Sequence, residues 1–468
     1  MMREEKKNKG GKEIVILFIV LAAFIAIESR GLVHYDIGDE NAYFYMGKLV
    51  SEGVMPYRDF FFAHPPLKLL VITPIMVLFG FNLIMLKLVP LICTILTAIF
   101  LFKIMKLRFN DLSAILTVVL FLFTKRVMLE ATYFLGINLT AMFVVIGLYF
   151  LVVKRRFLSG VFYGIAAVSG LYAVVPFIVI LGFLVFKKRF WRFLLGFLAV
   201  FLLVNLLMMM VSTSYIDSVY KYHLIKPKVE GKNFKIIEDM VKENFFLFVL
   251  PLLLLLKGNS KGKKKLLLVV SVSLGYLLFL TQIRLFGFYF VLLFPFLAIL
   301  SGYGLSSVIR RVKNNKIMLM SLLIILGIIF SFSLYNNVKH LYTFDFVDFQ
   351  GNSKIVDYVK ENSDESDKLF GDVLTVPLIA LETDRDIAFN LVDTNAMRFL
   401  SGSLDFDEEL ARIKNERVKF VIVRPGQGFG NNQKVADFLN ANCRQGLYWD
   451  DKYWGEFFVF DCEESSKS

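Results

Sequence analysis

The sequence is short of the residues that build metal centres. It has 3 cysteines and 4 histidines in 468 residues, and no His/Cys cluster among them would hold zinc. Cys93 sits inside an apolar run and reads as a small buried hydrophobe. Cys443 and Cys462 lie near the C-terminus, where a disulfide and two free thiols are both open. Carboxylates are also scarce over most of the chain. The first 340 residues carry 16 acidic against 39 basic side chains, whereas the last 128 carry 24 against 14. The formal net charge of +13 therefore describes one part of the molecule. Internal repeats are lacking, and the charges lie at the ends of apolar runs or between them. Both absences count against a transporter or lipid flippase, which would place charges near the bilayer midplane and show repeated halves.

What the chain has in excess is hydrocarbon. Hydrophobic residues make up 57% of it, and the mean hydropathy is +0.62, well above an ordinary globular domain. The excess lies in runs separated by short basic clusters up to about Lys339, and no long apolar run follows. A spanning helix needs roughly 20 apolar residues to cross about 30 Å of hydrocarbon. A soluble core cannot absorb so many helices that are apolar all round, so the expected solvent is a membrane.

Twelve runs are candidates. The first, Ile14–Ile27, follows a basic N-terminus and is expected to be an uncleaved helix, because the residues after Ala22 make a poor cleavage site. The others are Leu67–Phe79, Leu83–Phe102, Leu112–Phe123, Leu139–Val153, Phe157–Tyr172, Val174–Phe186, Phe193–Val211, Phe245–Leu256, Leu266–Leu280, Phe288–Val308 and Ile317–Leu334. Lysine and arginine stay on the cytoplasmic side. If all twelve runs crossed, every basic cluster would face outward: Lys103 to Arg108, Lys154-Arg155-Arg156, Lys187-Lys188-Arg189, Lys257 with Lys261 to Lys265, and Arg310-Arg311-Lys313. If one early run does not cross, all five fall inside with the N-terminus. Leu67–Phe79 is that run, since it is short, follows Pro65-Pro66, contains Pro74 and carries Lys68. It reads as a re-entrant or interfacial segment (residues 66–80) within an outer loop of residues 28–82. Eleven crossings result, in a multi-pass protein with a cytoplasmic N-terminus. Residues 1–339 form the membrane domain, and residues 340–468 form an extracytoplasmic soluble domain. The positive charge belongs to the cytoplasmic membrane face and implies no nucleic acid.

The first outer loop carries the densest chemistry. Asp36, Asp39 and Glu40 fall within five residues, directly after a spanning helix. Carboxylates beside hydrocarbon are costly unless paired or used. An adjacent Asp-Glu supplies a general base and a group that orients a hydroxyl or binds a cation. The bland alternative is that they sit at the start of a short amphipathic helix beginning near Glu40.

The loop resembles that of the GT-C glycosyltransferases, in the branch of the protein O-mannosyltransferases and the aminoarabinose transferase of lipid A. The resemblance rests on an ordered set: Asp39-Glu40, Tyr43, Gly53 to Tyr57, His64-Pro65-Pro66-Leu67 and Phe79-Gly80. Arg126 to Glu130 resembles the second acidic position of the family, with Glu130 where Asp is commoner. Arg284 to Phe290, followed by Pro295, resembles the segment that meets the carrier phosphate. The run Trp-Trp-Asp is missing, which disfavours an oligosaccharyltransferase that moves a whole glycan to asparagine.

The resemblance implies a sugar carried on a polyprenyl phosphate, dolichyl or undecaprenyl, and transferred with inversion to an acceptor hydroxyl on a glycan, lipid or protein. Asp39 would be the base and Glu40 would assist. Arg284, Tyr289, His64, Lys68 and Arg58 would surround the lipid phosphate. His64 replaces the lysine of the aminoarabinose branch, so Lys68, one helical turn on, could serve in its place. Arg58 could instead pair with Asp59 or Asp36. No cofactor is required, because phosphate already leaves well, although a divalent cation at the acidic loop is compatible. His223, in the outer loop Ser212–Asn244, reads as part of a solvated loop. A non-catalytic scaffold would not need the first-loop constellation.

After Lys339 the pattern becomes mixed α/β. Asp367–Val373 and Arg417–Val423 read as strands, Phe406–Asn415 and Asn432–Ala441 as amphipathic helices, and Tyr453–Cys462 as an edge strand.

Overall fold

The computed structural model describes residues 2–186, 190–225, 232–256, 260–416, 418–426 and 428–462. Lys187, Lys188, Arg189, Lys257 and Arg417, which figure in the expectations above, lie outside the described residues. The chain is mostly helical, with one small sheet near its C-terminus. It divides into two compact units. One comprises Met1–Val33, Lys87–Asn205 and Lys228–Phe346; the other comprises His34–Leu86, Leu206–Pro227 and Val347–Ser468. Composition changes near Lys339, whereas compactness groups the segment after the first helix with the C-terminal segment.

Among the described residues, five helices are long and apolar enough to cross a membrane: Gly11–Leu32, Leu83–Arg108, Trp191–Val211, Lys264–Gln282 and Lys316–Asp345. Six shorter apolar helices accompany them: Leu67–Phe79, Asp111–Leu122, Ile137–Val152, Arg156–Ser169, Leu171–Val185 and Phe245–Leu255. At about 1.5 Å per residue, the 13 residues of Leu67–Phe79 fall well short of about 30 Å of hydrocarbon. Helix Lys316–His340 exposes Ile317, Ile324, Ile328 and Phe332, a surface suited to an apolar solvent and not to water.

Local sequence explains most of the boundaries. Asn110 and Asn315 cap their helices by accepting from the backbone N–H of Ser113 and Met318, which satisfies donors that a helix start leaves open. Gly80 ends Leu67–Phe79 at φ 62°, a conformation that costs glycine little. Two runs expected as single helices are broken. Phe245–Val249 is α-helical and passes into the 3₁₀ turn Leu250–Leu255 at Pro251. Gly287–Leu292 is a 3₁₀ turn ahead of helix Phe294–Val312, with Pro295 in its first turn. Proline has no N–H and is tolerated at a helix start, so each break falls at a proline.

Glycine sets a close helix crossing in the first unit. A Cβ at Gly160 would lie 2.0 Å from the Phe193 carbonyl oxygen, and one at Gly196 would lie 2.2 Å from that of Phe157. The backbones of Arg156–Ser169 and Trp191–Val211 therefore touch, as small residues permit between apolar helices. Stacked Phe177, Phe193 and Phe197, with ring centroids 5.4 and 3.7 Å from Phe177, pack nearby.

In the second unit the sheet has five strands: β1 Lys368–Gly371, β2 Asp386–Ile387, β3 Phe420–Val423, β4 Arg444–Asp451 and β5 Gly455–Asp461. Their order is β2-β1-β3-β5-β4. The first three are parallel, and β5 runs antiparallel to both β3 and β4. Helices Phe406–Asn415 and Gln433–Asn442 are capped by Asp405 and Asn432 and pack Leu410, Ile413, Val435 and Leu439 against Val421, Val423 and Phe370. The expected edge strand over Tyr453–Cys462 is a correction: β5 is interior, and β4 forms the edge. The polar sequence of β4 conceals a strand that needs its hairpin partner, and its mostly exposed residues suit an edge. Cys443 and Cys462 are joined as a disulfide, closing the base of this hairpin.

Replacing Gly160 by alanine should destabilise the protein by about 1–3 kcal/mol, the usual range for overpacking, and lower its apparent melting temperature in detergent. Gly327→Ala, where a Cβ would meet nothing within 4 Å, should leave the temperature unchanged or raise it slightly through helix propensity. Equal shifts for the two variants would rule out the close crossing.

Candidate active site

The acidic loop is held from two sides within its own unit. The Phe349 N–H donates to the Tyr35 carbonyl at 2.9 Å, and the Gly38 N–H donates to the Leu374 carbonyl at 3.0 Å. His34 Nδ1 and Asp348 Oδ1 lie 2.9 Å apart. Asp36 turns back on its own chain, accepting from the Ile37 N–H at 2.8 Å, while its carbonyl accepts from Asn41 Nδ2 at 2.8 Å. Burial raises the Asp36 carboxyl above the usual aspartate range, and neighbouring His34 opposes that rise.

Helix Asp39–Ser51 begins at once, so Asp39 and Glu40 occupy its first turn, where the helix dipole favours negative charge. The expected short helix is therefore present, and the carboxylates also have a direction. Asp39 is half-buried and Glu40 is buried. Tyr43 follows Asp39 by four residues and lies on the same face. Its hydroxyl shares a 2.9 Å hydrogen bond with His64 Nε2, and its ring lies 4.7 Å from Lys68 Nζ. Lys68 opens the short helix Leu67–Phe79 and is buried. Burial lowers its ammonium group to about 7, against the opposing charge of Asp39. Asp39, Tyr43, His64 and Lys68 thus form one polar group.

A second layer positions His64. The Tyr57 hydroxyl donates to the His64 carbonyl at 2.7 Å, and Ser212 Oγ donates to the Tyr57 carbonyl at 2.9 Å. Tyr57 holds φ at 66°, a left-handed conformation uncommon for a bulky residue. His223 bonds to the Ala63 carbonyl at 2.7 Å, and its ring lies 5.8 Å from that of His64. The expectation that His223 belongs to a solvated loop is corrected: Tyr222 is buried and His223 half-buried. Tyr222 packs beside Phe61, Ala63 and Met397. Its signal in the sequence was the aromatic pair Tyr222-His223, which the surrounding lysines mask. Arg58 is turned elsewhere. It is exposed and makes a two-point ion pair with Asp59, both bonds 2.8 Å, and this pair holds the Asp59 carboxyl at about 2.

The remaining expected residues belong to the other unit. Glu130 ends the short helix Lys125–Glu130, is buried, and meets Arg126 Nε at 3.2 Å. The Arg126 N–H donates to Asn244 Oδ1, and Lys125 pairs with Glu243 at 3.0 Å. Gly287 leaves room for Arg126, whose guanidinium would lie 3.1 Å from a Cβ there. Arg284 is half-buried, with its guanidinium 5.3 Å from the Phe286 ring. Asn233 fixes the backbone on either side of Arg284, donating to the Ile283 carbonyl at 2.7 Å and accepting from the Leu285 N–H at 3.1 Å. Tyr289 accepts a 2.8 Å hydrogen bond from the Tyr172 hydroxyl. No group of three or more His, Cys, Asp or Glu able to hold a metal occurs among the described residues.

No protein-family model and no curated protein matches the chain by sequence. Solved structures do match it. ArnT from Cupriavidus metallidurans, bound to undecaprenyl phosphate, superposes with a TM-score of 0.69 over 96% of this chain and 98% of its own, at 12% identity. The Archaeoglobus fulgidus oligosaccharyltransferase, in complex with Zn and sulfate, gives 0.59 over 96% and 73%, also at 12% identity. The arabinofuranosyltransferase AftD from Mycobacteria gives 0.51 over 95% and 40%. The fold is GT-C. At such identities the likeness concerns the fold alone.

The Lys68 shift has a checkable sign. Below about pH 7 the amine is charged in the folded and the unfolded chain alike. Between about 7 and its ordinary value of 10.5 only the unfolded chain keeps the proton. Stability should therefore rise with pH across that window, by at most about 1.4 kcal/mol per pH unit. Thermal unfolding from pH 7 to 10 should show this slope in the wild type and lose it in Lys68→Met. An identical pH profile in both proteins would show that Lys68 stays charged.

Proposed function

We propose that the protein transfers a sugar from a polyprenyl phosphate, dolichyl or undecaprenyl, to an acceptor hydroxyl on the extracytoplasmic side of a membrane. The observation that carries this reading is the group Asp39, Tyr43, His64 and Lys68, in which a carboxylate at a helix start interacts with the Lys68 charge and Tyr43 joins Lys68 to His64. The GT-C fold supports it, because the solved relatives include an enzyme bound to undecaprenyl phosphate and one bound to dolichol phosphate.

In the proposed step the acceptor oxygen attacks the anomeric carbon from the face opposite the phosphate. Asp39 takes the hydroxyl proton, the new C–O bond forms, and the bond from the anomeric carbon to the phosphate oxygen breaks. Its electron pair leaves with the lipid phosphate, and the configuration inverts. Glu40 orients the acceptor. His64 and Lys68 receive the charge that develops on phosphate, where fixed cations in a low-dielectric site are worth most, and the resemblance gives Arg284 and Tyr289 the same role. Glu130 is the second acidic position and is held by Arg126. Arg58 would have to release Asp59 to reach a phosphate. A divalent cation would assist the leaving group, but phosphate leaves without one.

The same reading makes residues 1–339 a catalytic membrane domain with eleven crossings and a cytoplasmic N-terminus, and residues 340–468 an extracytoplasmic domain. The basic loops between apolar runs and the Cys443–Cys462 disulfide, a bond that persists in oxidising compartments, support that orientation. The alternative is a polyprenyl-lipid or glycolipid transporter.

Proteoliposomes supplied with radiolabelled polyprenyl-phosphate sugars test the proposal. Wild type should label an acceptor, and Asp39→Asn should lose roughly 10²–10⁴-fold of the rate, the usual worth of a general base. Equal transfer by both would move the base to Glu40 or Glu130. Label that crosses the bilayer without joining an acceptor would indicate the transporter.

A further inference from the structure

A cavity of about 460 Å³ opens in the first unit, and none of its lining residues is among those assigned above. Its walls are apolar and come from several helices: Ile104, Leu148, Ile180, Leu184, Val269 and Ile299 line it, and all six are buried. Five cations also line it: Arg108, Lys154, Arg156, Lys264 and Lys265. No carboxylate is among the lining residues.

The positive-inside bias explains why cations occur in these loops, but not why they converge on a hole. Three separate segments deliver them: the end of helix Leu83–Arg108, the turn at Lys154 before helix Arg156–Ser169, and the start of helix Ser260–Gln282. Lys154 holds φ at 64°, a left-handed conformation that closes the turn between two packed helices. Lys265 is tied down, donating to the Arg108 carbonyl at 3.1 Å, with its ammonium 5.8 Å from the Phe109 ring. Nearby Lys106 is neutralised by Asp111 at 3.2 Å, whereas none of the five cations makes an ion pair with a described carboxylate.

We propose that this cavity binds an anionic lipid, its phosphate against Arg108, Lys154, Arg156, Lys264 and Lys265 and the first part of its chain against the apolar walls. The volume lies within the range of small-molecule sites, and basic pockets between membrane helices suit phosphate headgroups. Buried hydrocarbon walls favour a lipid over free phosphate, which would leave them wet. The inference does not depend on the transfer chemistry, since it concerns binding by different residues.

The test is native mass spectrometry of the full-length protein released from nanodiscs of equal phosphatidic acid and phosphatidylcholine. Wild type should retain phosphatidic acid selectively. The triple variant Arg108→Ala, Lys154→Ala, Lys265→Ala should retain on the order of a hundredfold less, at roughly fivefold for each cation near a membrane surface. Arg310→Ala, Arg311→Ala, Lys313→Ala removes equal charge from another basic loop and should retain lipid as wild type does. Equal loss in both triple variants would reduce the effect to general surface charge and overturn the site. So would the absence of selectivity in wild type. Inorganic phosphate at millimolar concentration is the last arm: release of the lipid by phosphate alone would overturn the lipid in favour of a free anion. Circular dichroism of each variant guards against unfolding.

Discussion

Backbone hydrogen bonds between the loop after the first helix and the C-terminal segment are what the rest of the second unit depends on. Carboxylates at a helix start have a fixed direction only if the helix itself is fixed. Here the Phe349 amide donates to the Tyr35 carbonyl, and the Gly38 amide donates to the Leu374 carbonyl. Farther along the same helix, Tyr45 accepts from the Ile387 N–H at 2.7 Å, and Lys48 pairs with Asp384 at 3.1 Å. Helix Asp39–Ser51 is thus clamped at its start and along its length by residues more than three hundred positions away. The C-terminal segment is in this respect part of the scaffold that aims Asp39.

The same dependence reaches His64. Its side chain meets Tyr43, its carbonyl meets Tyr57, and the Tyr57 carbonyl in turn meets Ser212. Each bond uses a group that would be costly to leave buried and unpaired. The left-handed backbone at Tyr57 costs on the order of 1–3 kcal/mol, and these bonds hold it there. Arg398 adds its guanidinium 4.0 Å from the Phe61 ring, so a side chain of the C-terminal segment also buttresses the loop that carries His64.

In the first unit the governing constraint is different. Apolar helices in an apolar solvent gain little from the hydrophobic effect and rely on close fit. Gly160 and Gly196 let two backbones touch, and the phenylalanines around Phe177 fill the space beside them. Polar groups appear where they are answered: Asn138 donates to Thr94 and to the Glu130 carbonyl, and Ser159 donates to the Gly147 carbonyl. Among the described residues, six of the eleven apolar helices are too short to match a bilayer by length alone.

Local sequence determined a good deal. The bounds of helix Leu67–Phe79 and helix Phe406–Asn415 follow from proline, glycine and the capping residue, because these act on neighbouring dihedrals. The ordered motifs from Asp39 to Gly80 also foretold the GT-C fold, since they occur within one stretch of chain. The tertiary structure alone decided which remote groups meet. It placed His223 beside His64, gave Arg58 to Asp59, buried Lys68 near Asp39, joined Cys443 to Cys462 and put β4, not β5, at the sheet edge. Periodicity reports which face of an element is apolar, and it carries no record of the partner that covers that face. Partners hundreds of residues apart are chosen by packing and by the need to satisfy buried polar groups, and these are properties of the folded chain.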